Sequence, residues 1–158
     1  MGNEETASNA DEHRNIDMPS LNILLVEDNP ADAYLTMLAL QEADLCKELH
    51  VVEHGEHALA FLRQQGSYTE AVRPDLIILD LNLPRMDGLA ALTAFKTDPA
   101  ICTIPVVILS TSSAEQDITQ AYLLGAAQYF VKPNDLQECL MFGHTLAGVW
   151  QRLTDASV

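Results

Sequence analysis

Residues 76–84 read LIILDLNLP, an unbroken apolar run that ends in an aspartate and a turn. Four consecutive apolar residues without polar alternation are typical of a strand buried on both faces, as in a parallel sheet. Three further runs have the same form: ILLV at 23–26, VVIL at 106–109 and YFV at 129–131. The sequence therefore predicts a parallel sheet that contains these four strands.

Helical patterns separate the apolar runs, which makes this an α/β protein. The pair Asn29–Pro30 is typical of an N-cap followed by proline at the first helical position. A further short strand is predicted at 49–52, and helices are predicted at about 30–43, 56–65, 89–96, 114–124 and 136–153. Five strands that alternate with five helices through short connections favour a doubly wound sheet with right-handed crossovers.

The length fits one domain. The chain has 158 residues and is 48% hydrophobic, which is ample for a single core. Residues 1–20 are polar and acidic and are expected to form a disordered leader. The domain is expected at 21–153, followed by a short tail at 154–158. Because this tail is too short for a DNA-binding effector, the expected output is protein contact or phosphate relay.

The charge argues against two classes of partner. The formal net charge is -15, from 8 basic and 23 acidic residues. Nucleic-acid binding needs a basic footprint, which is not visible, and the same deficit argues against anionic membrane surfaces. No apolar run is long enough for a membrane span, and the N-terminus lacks the layout of a signal peptide. Three scattered cysteines fit free thiols in a reducing cytoplasm, which is the expected location.

Polar groups follow the apolar runs at the point where each strand ends. Glu27 and Asp28 follow the first run, Asp80 follows the run at 76–79, and Ser110 and Lys132 follow the last two. The carboxyl ends of parallel strands lie on one edge of the sheet, where ligands bind at the reversal of strand order. The five side chains are therefore expected to converge in one crevice.

Clustered carboxylates with one amine suit a divalent cation and a phosphoryl group. Asp80 is the candidate nucleophile, because a carboxylate can accept a phosphoryl group as an acyl phosphate. Magnesium prefers oxygen ligands in octahedral geometry, commonly one or two carboxylates with waters and phosphate oxygens. Asp28 and Asp80 are predicted as direct Mg²⁺ ligands and Glu27 as a ligand through water. The backbone carbonyl of Asn82 is a further predicted ligand.

Two more groups complete the predicted site. Lys132 is expected to pair with Asp80 or with the phosphoryl oxygens as a point charge. The Ser110 hydroxyl is expected to donate to a phosphoryl oxygen. The Lys132–Pro133 bond is a candidate cis peptide, because only X-Pro bonds take that form readily. Each residue alone has an ordinary explanation as a cap, a turn or a solvated loop residue, so the prediction depends on their coincidence at the strand ends.

Residues 80–88, DLNLPRMDG, resemble the phosphorylation loop of two-component receiver domains. The resemblance runs from position 21 to about 153. It includes the acid pair Glu27–Asp28, the hydroxyl of Ser110, and Lys132 followed by its proline. The acid pair begins with Glu instead of the commoner Asp, and Ser replaces Thr at 110, which keeps the hydroxyl.

The resemblance implies a flavodoxin-like receiver fold with strand order 2-1-3-4-5. It implies transfer of a phosphoryl group from the phosphohistidine of a sensor histidine kinase to Asp80, and Mg²⁺-dependent autodephosphorylation. Tyr129 matches the aromatic residue of the last strand that swings inward when the hydroxyl at Ser110 moves toward the phosphoryl group. The alternative for Tyr129 is an edge-strand tyrosine whose hydroxyl lies in water.

A narrower resemblance concerns small stand-alone regulators that are paired with phytochrome-type histidine kinases. It is based on the connection at 66–73, the strand that runs into residues 110–113, and the tail that contains Trp150. Members of that group form dimers through the C-terminal half, so a homodimer interface that includes Trp150 is expected. The other account of the apolar surplus in the final helix is a broad core face with scattered exposed residues.

Two other functions stay open. An aspartyl-nucleophile phosphohydrolase would usually carry its nucleophile on the first strand with a second Asp two residues on, but here that position is Asn82. A receiver-like binding module that takes no phosphate is the third option, against which the complete set of site residues argues. His50, His54 and His57 straddle a strand and a helix start and are expected to be surface histidines, not a metal site.

Overall fold

The structure, a computed structural model, describes residues 20–156. The predicted leader therefore lies outside the described residues except for position 20, and so do the last two residues of the predicted tail. The proposed boundaries of leader, domain and tail stay predictions.

Five strands and five α-helices alternate along the described chain. The strands are β1 (Leu21–Val26), β2 (Cys46–Val52), β3 (Leu76–Leu79), β4 (Val106–Ser110) and β5 (Gln128–Val131). The helices are α1 (Pro30–Glu42), α2 (Gly55–Leu62), α3 (Gly88–Thr97), α4 (Glu115–Leu123) and α5 (Leu136–Ala156). A short 3₁₀ turn, Gly66–Tyr68, lies between α2 and β3.

The strands form one parallel sheet in the order β2-β1-β3-β4-β5, which confirms the predicted fold class. The register aligns the carboxyl ends of the central strands. Val26 is paired with Leu79, Leu79 with Ile108, and Ser110 with Val131. Residues that directly follow these positions therefore lie side by side along one edge, as the sequence predicts.

The sheet divides the core into two layers. Leu24, Ile77 and Ile108 face one layer, which is closed by α2, α3 and α4. Leu25 and Ile78 face the other layer, which is closed by α1 and α5. Both faces of the central strands are buried, because crossover helices cover each side of a parallel sheet. The unbroken apolar runs follow from this double burial.

Three element boundaries differ from the sequence prediction by three residues. Strand β2 begins at Cys46 instead of 49, because this edge strand carries exposed polar residues that hide the strand pattern. Helix α2 ends at Leu62, and Gln64 has a φ of 55°, which no α-helix continues. Helix α5 runs on to Ala156.

Helix α5 carries a glycine where it packs on α1. A Cβ at Gly143 would clash with the backbone carbonyl of Ala39 and approach Ala43. A Cβ at Gly148 would meet nothing within 4 Å. Gly143 thus permits close approach of the two helices, whereas Gly148 has no such contact to protect.

Within residues 20–156, none of the helices combines the length and the apolar character that a membrane crossing requires.

Candidate functional site

The structure brings three predicted carboxylates together at the carboxyl edge of the sheet. Glu27 and Asp28 follow β1 and Asp80 follows β3. One oxygen from each of the three lies within 4.8 Å of the others. Glu27 and Asp80 are buried, with 3% and 4% exposure, whereas Asp28 is exposed to solvent. Two of the three carboxylates are thus shielded from water, and the third is open to solvent.

Lys132 enters this cluster from the end of β5. Its ammonium lies 2.7 Å from Glu27 Oε1 and 2.9 Å from Asp80 Oδ2. The Lys132 amide donates to the Ser110 carbonyl at 2.7 Å, which continues the β4–β5 pairing by one residue. The predicted cis bond before Pro133 is wrong, because every peptide bond among the described residues is trans. Strand continuation alone carries the lysine into the crevice.

Asp32 is a site residue that the sequence analysis missed. Its Oδ2 lies 2.9 Å from the Lys132 ammonium. It lies in the first turn of α1, where an acidic residue is normally explained by the helix dipole. No spacing rule links Asp32 to a lysine 100 positions later. Only the packing of α1 beside the end of β5 brings the two together.

The loop after β3 is held closed around Asp80. The Asn82 amide donates to Asp80 Oδ1 at 3.0 Å, and the Asn82 side chain donates to Thr111 at 3.1 Å. Asp87 caps α3 by accepting from the Ala90 amide at 2.8 Å. A Cβ at Gly88 would clash with the backbone of residues 80–81, so only glycine fits this turn. The role of the Asn82 carbonyl as a metal ligand stays a prediction.

Ser110 lies at the carboxyl end of β4 and is fully buried. Its Oγ accepts a hydrogen bond from the Ser112 amide at 3.2 Å. Tyr129 is also buried, at 8% exposure, and its hydroxyl donates to the Ser112 carbonyl at 2.8 Å. The alternative of a tyrosine hydroxyl in water therefore does not hold. The loop after β4 contacts both predicted switch residues.

Helix α4 is tied to the same loop. Ser112 Oγ donates to Asp117 Oδ2 at 2.5 Å and accepts from the Ala114 amide at 3.2 Å. The Tyr122 hydroxyl accepts from the Tyr129 amide at 3.0 Å. Ser112 is thus hydrogen-bonded to Ser110 at the end of β4, to Asp117 on α4 and to Tyr129 on β5.

The electrostatics of the cluster favour a cation. Three carboxylates, those of Glu27, Asp32 and Asp80, contact one ammonium, and the Asp28 carboxylate lies beside two of them. Burial raises the pKa of Glu27 to about 7, the Asp80 charge adds to this, and the Lys132 hydrogen bond only partly offsets it. Burial opposes the charge of Lys132, but its hydrogen bonds to the carboxylates outweigh burial and raise its pKa above the ordinary value. An all-oxygen, electron-rich donor set of this kind fits Mg²⁺.

The histidines do not join the site. His50 is exposed and packs on Phe61, with ring centroids 4.5 Å apart. His54 is buried, so the expectation of a surface residue is wrong for it. Its Nδ1 accepts from the His57 amide at 3.4 Å and caps α2. Among residues 20–156, the carboxylates of Glu27, Asp28 and Asp80 form the single group of three or more side chains suited to a metal.

The fold and the acidic crevice define a class of protein. Residues 23–141 match the response regulator receiver domain family. The chain belongs to this family, whose members are signalling proteins. The predicted resemblance to two-component receiver domains is thereby confirmed.

Among receiver domains, the chain is similar to stand-alone response regulators that are linked to phytochromes. Response regulator Rcp1 of Synechocystis sp. is 40% identical over 128 residues, which is 81% of this chain and 87% of Rcp1. The crystal structure of the phosphorylated cyanobacterial phytochrome response regulator RcpA has a TM-score of 0.78 and 42% identity, and covers 84% of this chain and 94% of RcpA. The crystal structure of the Mn²⁺-bound form of Rcp1 has a TM-score of 0.76 and 39% identity, and the match covers 82% of this chain and 94% of the Rcp1 chain. The predicted resemblance to phytochrome-linked stand-alone regulators is confirmed.

Proposed function

We propose that this protein is a cytoplasmic response regulator that accepts a phosphoryl group on Asp80 from the phosphohistidine of a sensor histidine kinase. One observation carries the proposal. The Asp80 carboxylate is almost buried at the sheet edge, 2.9 Å from the Lys132 ammonium and clustered with two further carboxylates. A nucleophile, a fixed positive charge and a set of metal-type ligands are the parts that phosphoryl transfer requires.

The reaction needs positioning more than acid–base chemistry. An Asp80 oxygen forms a bond to phosphorus as the phosphorus–nitrogen bond of the phosphohistidine breaks, and the leaving imidazole recovers a proton. Lys132 and the Ser110 hydroxyl then contact phosphoryl oxygens. Glu27, Asp28, Asp80 and the Asn82 carbonyl are the groups that would hold Mg²⁺. Bound Mg²⁺ supplies neutralising charge at the phosphoryl oxygens.

Signal output is proposed to run through protein contacts. A phosphoryl group adds negative charge beside Ser110, and the hydrogen bonds of the following loop transmit the change to Tyr129 and α4. Apolar side chains stay exposed on α4, β5 and α5: Tyr122, Leu123, Val131, Leu136 and Met141. These exposed apolar side chains support the proposal of a homodimer through the C-terminal half. Trp150 is half-buried against its own core, so its part in that interface stays a prediction.

The kinase is proposed to be of the phytochrome type. The support is the similarity to RcpA, a phytochrome response regulator, at 42% identity over most of both chains. A purified phytochrome-type kinase with labelled ATP tests the pairing. We expect the phytochrome-type kinase to transfer its phosphoryl group to this protein faster than kinases of other classes do. Equal transfer rates from all kinases would contradict the pairing.

A small acyl phosphate donor with Mg²⁺ separates the proposal from the two alternatives. A response regulator gives a stoichiometric phosphoprotein that is stable in acid and labile in base. An aspartyl phosphohydrolase instead turns over a phosphate monoester continuously. A binding module that takes no phosphate shows neither result. Asn82 disfavours the hydrolase, because its side chain bonds Thr111 where a second acid would be needed.

A further inference from the structure

All three N–H groups of the Lys132 ammonium are engaged by carboxylates. An ammonium has three N–H groups. In the structure they reach Glu27 Oε1 at 2.7 Å, Asp80 Oδ2 at 2.9 Å and Asp32 Oδ2 at 2.9 Å. A phosphoryl oxygen that arrives at Asp80 can contact this lysine only if one of the three carboxylates releases it.

Asp32 differs from the other two partners. Its side chain is 35% exposed, whereas Glu27 and Asp80 are exposed by 2% and 5%. It also lies outside the group of three carboxylates that can share a metal ion. Water can replace the lysine at an exposed carboxylate more easily than at a buried one. The bond to Asp32 is therefore the one that gives way.

The backbone of Asp32 is held in α1 by hydrogen bonds that do not depend on its carboxylate. Asn29 caps α1 and accepts from the Asp32 amide at 3.1 Å. The Asp32 carbonyl accepts from the Thr36 hydroxyl at 2.9 Å. Neither bond involves the Asp32 side chain, so a substitution there leaves the start of α1 intact.

We propose that Asp32 is a positioning residue that occupies one N–H group of Lys132 and thereby slows phosphoryl transfer to Asp80. The proposal rests on the proposed function of Asp80. In the resting protein Asp32 takes the third N–H of the lysine. Transfer requires that this bond be exchanged for one to a phosphoryl oxygen, and this exchange adds to the barrier. Removal of the Asp32 carboxylate frees the donor in advance.

The test compares phosphorylation rates with a small acyl phosphate donor and Mg²⁺. We expect the maximal rate of Asp32→Ala and of Asp32→Asn to rise about threefold to tenfold, which matches the loss of a competing charged hydrogen bond at a partly exposed site. Asp32→Glu keeps the charge and is expected to stay near the wild-type rate. Glu42→Gln, at the exposed far end of α1, removes the same charge and controls for net charge.

The dependence on donor concentration separates this role from simple electrostatics. If Asp32 only repelled the anionic donor, its removal would lower the half-saturating concentration and leave the maximal rate unchanged. That result, or a maximal rate at or below that of Glu42→Gln, would overturn the proposal. Failure of the wild-type protein to accept phosphate would instead refute the proposed function, so the two failures are distinct.

A second readout needs neither metal nor phosphate. The exchange of the Lys132 ammonium protons with water can be followed by NMR in the metal-free protein. Three carboxylate partners slow this exchange, so Asp32→Ala is expected to accelerate it several-fold while Glu42→Gln does not. Equal exchange rates in the two variants would show that Asp32 does not hold the lysine in solution.

Discussion

The hydroxyl of Tyr129 donates a 2.8 Å hydrogen bond to the backbone carbonyl of Ser112. The Ser112 amide in turn donates to the Oγ of Ser110, the hydroxyl that is proposed to contact the phosphoryl group. Two bonds to a single residue thus connect the aromatic ring of β5 to the end of β4. The inward position of Tyr129 is maintained by the loop that phosphorylation is proposed to move.

Tyr129→Phe tests this connection. The variant keeps the ring and loses one partly buried hydrogen bond, so the free energy of unfolding should fall by about 1 kcal/mol. Phosphorylation of Asp80 should be unchanged, because Tyr129 does not contact the carboxylates. The amide NMR shifts that phosphorylation causes in residues 111–114 should shrink. Tyr34→Phe, at an exposed tyrosine of α1, controls for loss of a hydroxyl, and an equal response in both variants would count against the connection.

Two glycines of α5 give a matched pair for the packing of α1 on α5. Gly143→Ala introduces a Cβ against the Ala39 carbonyl, and we expect a loss of about 1–3 kcal/mol in the free energy of unfolding. Gly148→Ala meets nothing within 4 Å and should gain up to about 1 kcal/mol from helix propensity. Urea unfolding measures both. A gain in stability at both positions would show that the helices do not approach as closely as described.

Cation binding should depend on pH through Glu27. Its pKa is raised to about 7, chiefly by burial, so a proton must leave before the carboxylate can help to hold a cation. Affinity for Mg²⁺ or Mn²⁺ should rise about tenfold per pH unit below pH 7 and level off above it. Calorimetry in two buffers of different ionisation enthalpy measures both the affinity and the proton released.

The stability of the metal-free protein should show the opposite trend. A carboxyl group whose folded pKa exceeds its ordinary value of 4.5 contributes stability at low pH, and this is lost as the pH rises through about 7. Added Mg²⁺ should therefore raise the thermal midpoint more at pH 8 than at pH 6. Glu27→Gln should flatten both profiles. Unchanged profiles in that variant would assign the proton to another group.

Much of the fold was predictable because a strand that is buried on both faces is apolar at every position. The runs at 23–26, 76–79 and 106–109 are apolar throughout, since crossover helices cover both faces of those strands. The edge strand β2 is not apolar throughout, because several of its residues face water. Its first three residues were therefore missed. The early end of α2 was also missed, because the left-handed backbone conformation that follows the helix is adopted by Gln64 and not by a glycine.

The site was predictable only where it coincides with strand ends. The regular register of a parallel sheet brings together the side chains of Glu27, Asp28, Asp80 and Lys132 and places Ser110 at the same sheet edge. Contacts between a helix and a strand follow no such register, which is why Asp32 was missed. The buried cap at His54 was missed for a similar reason: Met86 of the loop after β3 packs beside the neighbouring Gly55, and sequence spacing does not predict this contact.

The location of the phosphoryl group tests the central claim most directly. The protein is treated with a small acyl phosphate donor and Mg²⁺, and the modified residue is mapped by mass spectrometry after reductive trapping of the acyl phosphate. We predict one phosphoryl group on Asp80, its loss in Asp80→Asn, and its retention in Asp75→Asn, which alters the other end of the same strand. Undiminished labelling of Asp80→Asn, or a phosphoryl group mapped to another residue, would contradict the account.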